Sequence, residues 1–298
     1  MAFRLRPDES IAHGLRRLAR KELASAADIL RKTDPPEEAS IHDARTHVKK
    51  ARAIFELVRA DEGHGLDGSA KRLRSVNRAL SRLRDADAML EILTTLRKEA
   101  PDVLSAGVAT RVRRQLVAHK RAVMKRAGKK KAWNDAVKEL RKLRRVAKAW
   151  QPDHRDFRAL AAGLRQSHRR GRKAKARAVE SGRAADFHEW RKQMKALWYE
   201  LRLVEPCGAR IRRDAGVLRR TQRWLGDDHN IVVLCEELSQ DASICGGAAD
   251  LDRIRLAADR YQCGLRQKAI DETKQLYARK PGAYVRGIQG AWKKWTQG

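Results

Sequence analysis

A row of cationic side chains runs along one predicted helix near the start of the chain. The row consists of His42, Arg45, Lys49 and Arg52, which stand at positions i, i+3, i+7 and i+10. At about 100° per residue these positions share roughly 80° of the helix surface. Arginine offers phosphate oxygens a forked pair of N–H donors, and lysine offers a compact charge. The spacing therefore predicts a strip that binds phosphate groups.

The same helix carries an apolar face beside the cationic row. The members of this face are Ile41, Ala44, Val48, Ala51, Phe55 and Val58. Packing of an apolar face would hold the row at the edge of a core while its charged ends face a groove. Ser40 is expected to cap the start of the helix. His42 would then occupy the second helical position, where free backbone N–H groups attract an anion.

A related row occurs in the second half of the chain. Three of its members match the first row at a constant offset of 146 residues: His188, Arg191 and Lys195. The fourth position is Trp198 instead of a basic residue, and Asp186 is the expected cap. Two further segments repeat in the same order at similar offsets. Residues 11–20 align with residues 160–169, and Arg74 and Arg78 align with Arg219 and Arg223.

The matched segments keep the same order in both halves, which predicts an internal duplication. A single domain would span 1–298, with halves 1–151 and 152–298 and a boundary near Pro152.

Hydrophobic periodicity predicts helices over 8–33, 40–59, 67–97, 101–126, 132–150, 154–181, 184–205 and 247–280, with a short last helix to Trp295. A bend is expected at 85–88 and a break at Gly128. Short loops favour antiparallel neighbours. The predicted fold is all-α, with two pseudo-symmetric four-helix bundles and a basic central groove or pore.

The charge of the chain points to an anionic partner. Lys and Arg number 68 against 37 acidic residues, which gives a formal net charge of +31. Repulsion on this scale favours binding to nucleic acid, anionic lipid or polyphosphate. No apolar run is long enough to span a membrane, and no signal peptide is expected. The four cysteines form no C-x-x-C pair, so we expect small core residues in a reducing cytoplasm.

The first cationic row fits the pattern H-x-x-R-x-x-x-K/R-K/R-x-R, read as His42, Arg45, Lys49, Lys50 and Arg52. The second-half version of this pattern reads His188, Arg191, Lys192, Lys195, Trp198 and Tyr199. A short L-G-x-x-N/D segment follows the second row at residues 225–230, and residues 80–87 are its first-half counterpart, with Ser81 in place of the glycine. Over nearly its whole length the chain resembles the conserved histidine α-helical domain, the CHAD family. Trp198 and Ser81 are departures from the family pattern.

The resemblance implies two four-helix bundles around a basic central groove, binding of inorganic polyphosphate, and association with polyphosphate or storage granules, and it does not imply catalysis. We expect a binding protein that is not an enzyme and has no cofactor or metal. The residues expected to bind polyphosphate are Arg16, Arg20, Lys21, His42, Arg45, Lys49, Arg52, Arg74, Arg78, Arg165, Arg169, Arg170, His188, Arg191, Lys192, Lys195, Arg219, Arg223 and His229. A bound phosphate should raise the pKa of the histidines. Binding is therefore expected to strengthen as the pH falls from about 8 to 6.

Two other functions fit the charge of the chain. A sequence-nonspecific nucleic-acid-binding protein would also be strongly basic, although no zinc-finger spacing or base-reading motif is present. A phosphate-processing enzyme would need a phosphate-binding loop or a cluster of metal-binding carboxylates, and neither pattern is evident. The matched rows could also be a solvated helix face. The oligomeric state does not follow from the sequence.

Overall fold

The computed structural model describes residues 2–32, 38–59, 66, 68–81, 85–130, 132–151, 156–240, 245 and 247–297. Every regular element in these ranges is helical, which confirms the all-α prediction. The α-helices are α1 (Ile11–Ile29), α2 (Glu38–Val58), α3 (Ser69–Ser81), α4 (Asp85–Glu99), α5 (Ala106–Lys130), α6 (Ala132–Ala149), α7 (Arg158–Ser181), α8 (Ala184–Val204), α9 (Ala209–Gln240), α10 (Ala248–Glu272), α11 (Lys274–Ala278) and α12 (Pro281–Gln297). Among these helices, none is long and apolar enough to cross a membrane.

A first hydrophobic core combines helices from both halves of the chain. It is formed by α1, α2, α3, α6, α7, α8, α11 and α12 together with the N-terminal part of α9 and the C-terminal part of α10. The leucines at its centre, such as Leu15 and Leu18 of α1 and Leu197 and Leu201 of α8, are completely buried. Each helix contributes one apolar stripe. The cationic rows adjoin the stripes of α2 and α8 and are therefore held at the edge of this core.

A second core lies where α4 and α5 pack with α9 and α10. It buries Leu96 of α4, Val112 of α5, Leu234 of α9 and Ile254 of α10. Helix α9 belongs to both cores, because its 32 residues extend for about 48 Å. The cores therefore both cross the predicted boundary near Pro152, a residue outside the described part. The division into 1–151 and 152–298 stays a prediction.

Several predicted helix boundaries are wrong, including that of 247–280, which is divided into α10 and α11 at Thr273. The expected helix over 67–97 is two helices, α3 and α4, on either side of residues 82–84, which lie outside the described part. Helix α5 begins at Ala106 and continues through Gly128, because a single glycine costs a helix only about 1 kcal/mol. Helix α2 begins at Glu38, two residues before the expected cap Ser40, since Glu and Ala are good helix formers.

Helices α2 and α7 meet at a glycine. A Cβ atom on Gly163 of α7 would lie 2.0 Å from the backbone oxygen of Leu57 in α2. At Gly14 of α1, a Cβ atom would instead lie 2.5 Å from the side chain of Leu5. The backbone N–H of Leu5 donates to the carbonyl of Leu203 in α8 at 2.9 Å. The N-terminal segment thus lies between α1 and α8, whereas α7 contacts α2 directly.

We expect Gly163→Ala to destabilise the fold by about 1–3 kcal/mol, because the new methyl group would push against the backbone of α2, which cannot rotate away. The matched control is Gly264→Ala in the exposed middle of α10, where a Cβ would meet no atom within 4 Å. That change should stabilise the protein by about 0.5–1 kcal/mol. Urea unfolding measures both values. Equal effects of the two changes would contradict a close α2–α7 contact.

Candidate polyanion-binding surfaces

The α2 row is held at the edge of the first core. His42, Arg45, Lys49 and Arg52 are all half-buried. The guanidinium of Arg45 reaches α3, where its Nη2 donates to the hydroxyl of Ser81 at 2.7 Å. Arg52 lies 3.6 Å from the carboxylate of Glu56, one turn further along α2. The row is therefore not a fully solvated helix face.

The α8 row has a similar relation to α9. Arg191 is half-buried and lies beside Gly226, where a Cβ atom would stand 3.3 Å from its Nη2 and 3.5 Å from its Nε. Gly226 follows Ser81 by 145 residues, and Arg191 follows Arg45 by 146. In both places an arginine lies against a small residue of the next helix. A larger side chain at either contact would force the guanidinium outward.

The fourth positions of the two rows differ in chemistry but are close in space. Trp198 packs against the core, and the guanidinium of Arg202 lies over its ring at 5.1 Å. The neighbouring Tyr199 is buried, and burial raises its pKa to about 12, while the positive charge of Arg52 from α2 acts in the opposite direction. Arg52 and the C-terminal part of α8 are thus near enough to interact electrostatically.

Two of the predicted histidines contact each other. The ring centroids of His188 and His229 are 3.9 Å apart. Burial lowers the pKa of both rings to about 4, with a further contribution from the positive charge of Arg191. Both imidazoles are therefore neutral at neutral pH. The sequence motifs identified each histidine but did not predict this contact, because the residues lie on different helices.

The expected placement of His42 and His188 at the second helical position is wrong. Helix α2 begins at Glu38 and α8 begins at Ala184, so both histidines are fifth residues of their helices. The backbone N–H groups there point into the helix and offer nothing to an anion. Asp186 lies in the first turn of α8 rather than at its cap. Its carboxylate accepts a hydrogen bond from the Ser181 hydroxyl and forms salt bridges with Arg177 and Arg183.

Three predicted residues of α1 line a separate cleft between α1 and α6. This α1–α6 cleft has a volume of about 550 Å³ and contains Arg16, Arg20 and Lys21. Arg17 of α1 and two residues of α6, Arg144 and Lys148, complete its cationic lining. An adjoining cleft of about 660 Å³ shares Arg20 and is lined, in addition, by Lys138, Arg141, Lys142, Arg144, Arg145 and Lys148. The predicted set missed these α6 cations, although their spacing along residues 138–148 was a visible signal.

The remaining predicted cations are spread over the surface. Lys192 is exposed and pairs with Glu189 at 2.5 Å. The others are exposed arginines of α3, α7 and α9: Arg74, Arg78, Arg165, Arg169, Arg170, Arg219 and Arg223. Arg223 acts electrostatically on Asp227, whose pKa burial raises. Asp228, a second carboxylate near the α8 row, pairs with Arg266 at 2.6 Å. Among the described residues no group of three His, Cys, Asp or Glu side chains could hold a metal ion.

Comparison with known proteins identifies the family. The CHAD domain model matches residues 13–239, which is most of the chain. The chain belongs to the CHAD family. Its structure is similar to the crystal structure of the CHAD domain from the plant Ricinus communis, with a TM-score of 0.62, 16% identity and coverage of 98% of this chain and 95% of that one. No curated protein matches the chain significantly. The matched CHAD region includes both cationic rows.

In the free CHAD protein we expect the rings of His188 and His229 to titrate near pH 4, because burial and Arg191 disfavour the imidazolium. NMR of the ring protons across pH 3–8 measures the two midpoints, and the urea-unfolded chain, titrating near 6.5, is the reference. Each ring gains a proton on unfolding between these values, so its contribution to stability is complete above pH 6.5 and declines as the pH falls toward 4. Native midpoints above 6 would contradict the packed, neutral pair.

Proposed function

We propose that this CHAD protein binds inorganic polyphosphate without chemically changing it, in a basic groove to which the α2 and α8 rows both contribute. The observation that carries the proposal is the matched placement of Arg45 and Arg191. Each is half-buried and lies against a small residue of the neighbouring helix, Ser81 or Gly226. Two forked donors in equivalent settings suit a polymer that repeats one phosphate group.

Matched contacts between helices support a duplicated arrangement of two bundles. Helix α1 packs on α2 and α6, and α7 packs on α8 and α12. Helix α2 packs on α3 as α8 packs on α9, and α4 packs on α5 as α9 packs on α10. In this scheme α9 corresponds to α3 and α4 together. We infer that residues 1–151 and 152–298 are pseudo-symmetric halves of one CHAD domain and that their cationic rows border a shared groove.

The half-buried setting favours anion binding energetically. A hydrogen bond to a charged group contributes about 1.5–3 kcal/mol, and several of them suffice for tight binding after ordering costs. Partial desolvation strengthens each charge–charge interaction relative to bulk water. The contacts of Arg45 and Arg191 also restrict their side chains before the polymer arrives, which lowers the entropy lost on binding.

Neutral histidines change the expected pH dependence. For His188 and His229 to strengthen binding between pH 8 and 6, a bound phosphate would have to raise their pKa from about 4 to above 6. A shift of two units corresponds to about 2.7 kcal/mol of interaction. We therefore propose that these two histidines strengthen binding mainly below pH 6. At lower pH, a bound anion needs to raise the pKa of each ring by a smaller amount to protonate it.

We further propose that the protein acts by binding alone, in the cytoplasm and in association with polyphosphate or storage granules, as the family resemblance implies. Phosphoryl transfer requires a positioned nucleophile or a metal ion to stabilise the transferred group. Apart from their histidines, the two rows consist of arginine and lysine, with Trp198 at the end of the second, and these side chains offer positive charge rather than a hydroxyl or thiol nucleophile. These residue types suit binding of the polymer along its length.

Long-chain polyphosphate is expected to displace a fluorescent polyphosphate probe at fixed ionic strength far better than duplex DNA or heparin of equal charge. Arg45→Ala combined with Arg191→Ala should weaken binding roughly 100-fold, because two charge-assisted contacts are lost. Replacing both with lysine keeps the charge but removes the fork and should give an intermediate loss. Fluorescence anisotropy measures each affinity.

The matched control is Arg113→Ala with Arg114→Ala, two exposed arginines of α5. It removes the same charge and should lower the affinity less than threefold, as expected of a loss of net charge alone. Equal losses in the two double variants would show that charge is delocalised and that the rows form no particular site. Equal displacement by every polyanion would instead favour a nucleic-acid-binding protein.

Polyphosphate recovered after prolonged incubation with the protein is expected to keep its chain-length distribution, with and without Mg²⁺ and nucleotides. Gel electrophoresis of the polymer and an assay for released orthophosphate make the comparison. Protein-dependent shortening that disappears in the Arg45→Ala, Arg191→Ala variant would show that the same surface supports catalysis and would overturn the binding-only proposal.

A further inference from the structure

The α1–α6 cleft and the cleft adjoining it form a continuous cationic surface. They share Arg20 on one side and Arg144 and Lys148 on the other. The two lining sets contain no acidic residue, and the non-cationic members are His13 and Ala24. A lining with so many cations and no acidic member strongly favours an anionic occupant.

Most cations of this surface remain available for a ligand. In α6 the side chains of Arg141, Arg144, Arg145 and Lys148 are exposed and make no ion pair or hydrogen bond to a described residue. The same is true of Arg20 in α1. Arg16 and Arg17 have partners, which are the Gln151 side chain and the Glu9 carboxylate.

On the surface of α10, in contrast, exposed arginines are paired with acidic residues. Arg253 pairs with Asp250 at 3.2 Å, and Arg255 pairs with Asp252 at 3.4 Å. Acidic residues one turn away satisfy these charges. Among the α6 cations of the lining, Lys138 has such a neighbour in Asp135, whereas Arg141, Arg144, Arg145 and Lys148 pair with no acid among the described residues, so this part of α6 concentrates uncompensated charge.

The spacing of the α6 cations suits a linear polymer. Residues 141, 144, 145 and 148 recur on successive turns and extend over about 10 Å of helix. The lining contains no tryptophan, tyrosine or phenylalanine. Surfaces for single-stranded nucleic acid normally combine cations with aromatic rings on which bases stack. A polymer of phosphate groups without bases fits this lining better.

We propose that the α1–α6 cleft is a second binding surface for polyphosphate and that one long chain occupies it together with the α2 and α8 rows. This inference rests on the proposed function. Helix α1 packs against α2 on one side and α6 on the other. With about 8–10 Å between packed helix axes, a chain must span roughly 20 Å to pass from α2 to α6. Binding of the second segment is then intramolecular, so affinity rises steeply with chain length.

The test compares tripolyphosphate, which is too short to bridge the surfaces, with a chain of several hundred phosphates. The variant Arg141→Ala, Arg144→Ala, Arg145→Ala, Lys148→Ala removes four exposed cations and keeps good helix formers. We expect its affinity for the long chain to fall at least about tenfold while its affinity for tripolyphosphate changes less than about threefold. Calorimetry gives both affinities, and circular dichroism checks the fold.

A matched control removes four exposed cations from α5: Arg113, Arg114, Arg121 and Lys125. It should leave long-chain affinity within about threefold of the parent protein. Equal losses in the α5 and α6 variants, or an equal loss of tripolyphosphate and long-chain binding in the α6 variant, would overturn the second surface. So would an α6 variant that loses only duplex DNA binding, since the cleft would then be a nucleic-acid surface.

Failure of the proposed function gives a different result. If Arg45→Ala with Arg191→Ala leaves tripolyphosphate binding unchanged, the rows are not the primary site, whatever the α6 variant does. If that double variant weakens both ligands while the α6 variant weakens neither, the proposed function stands and the second surface is wrong.

Discussion

The surrounding fold depends on the contact of a half-buried arginine with a small residue on the next helix, because the neighbouring helices must hold a partly buried charge in place. Arg45 meets Ser81 and Arg191 meets Gly226, each across a helix pair. Partial burial of a charge is costly unless hydrogen bonds compensate it. The apolar stripes of α2 and α8 supply the packing that keeps the arginines in place. The half-buried charges therefore depend on the packing of α2 on α3 and of α8 on α9.

The excess positive charge is distributed unevenly between helices. On α10, arginines pair with acids one turn away, so that surface is nearly neutral locally. On α6, exposed cations line clefts that contain no acid. A net charge of +31 destabilises a compact chain through repulsion. A bound polyanion would relieve that repulsion where it is strongest, which couples ligand binding to stability.

The histidines show how neighbouring charges decide the chemistry of a residue. The sequence predicted rings that titrate near neutrality and assist phosphate binding. In the folded protein His188 lies against His229 and near Arg191, and both rings have a pKa of about 4. They are therefore neutral packing groups in the unbound state. Arginine and lysine carry the positive charge of the rows.

The sequence by itself determined the helical class, the apolar stripe beside each cationic row and the family, because these depend on periodicity and motif spacing within single helices. Only the tertiary structure decided which surfaces meet. The pairing of His188 with His229, the contacts at Ser81 and Gly226, and the cleft between α1 and α6 join residues from different helices. So does the second core, where α4 and α5 cross to α9 and α10. Helical periodicity shows which face of a helix is buried, but the helix that covers this face is selected by packing across the whole chain.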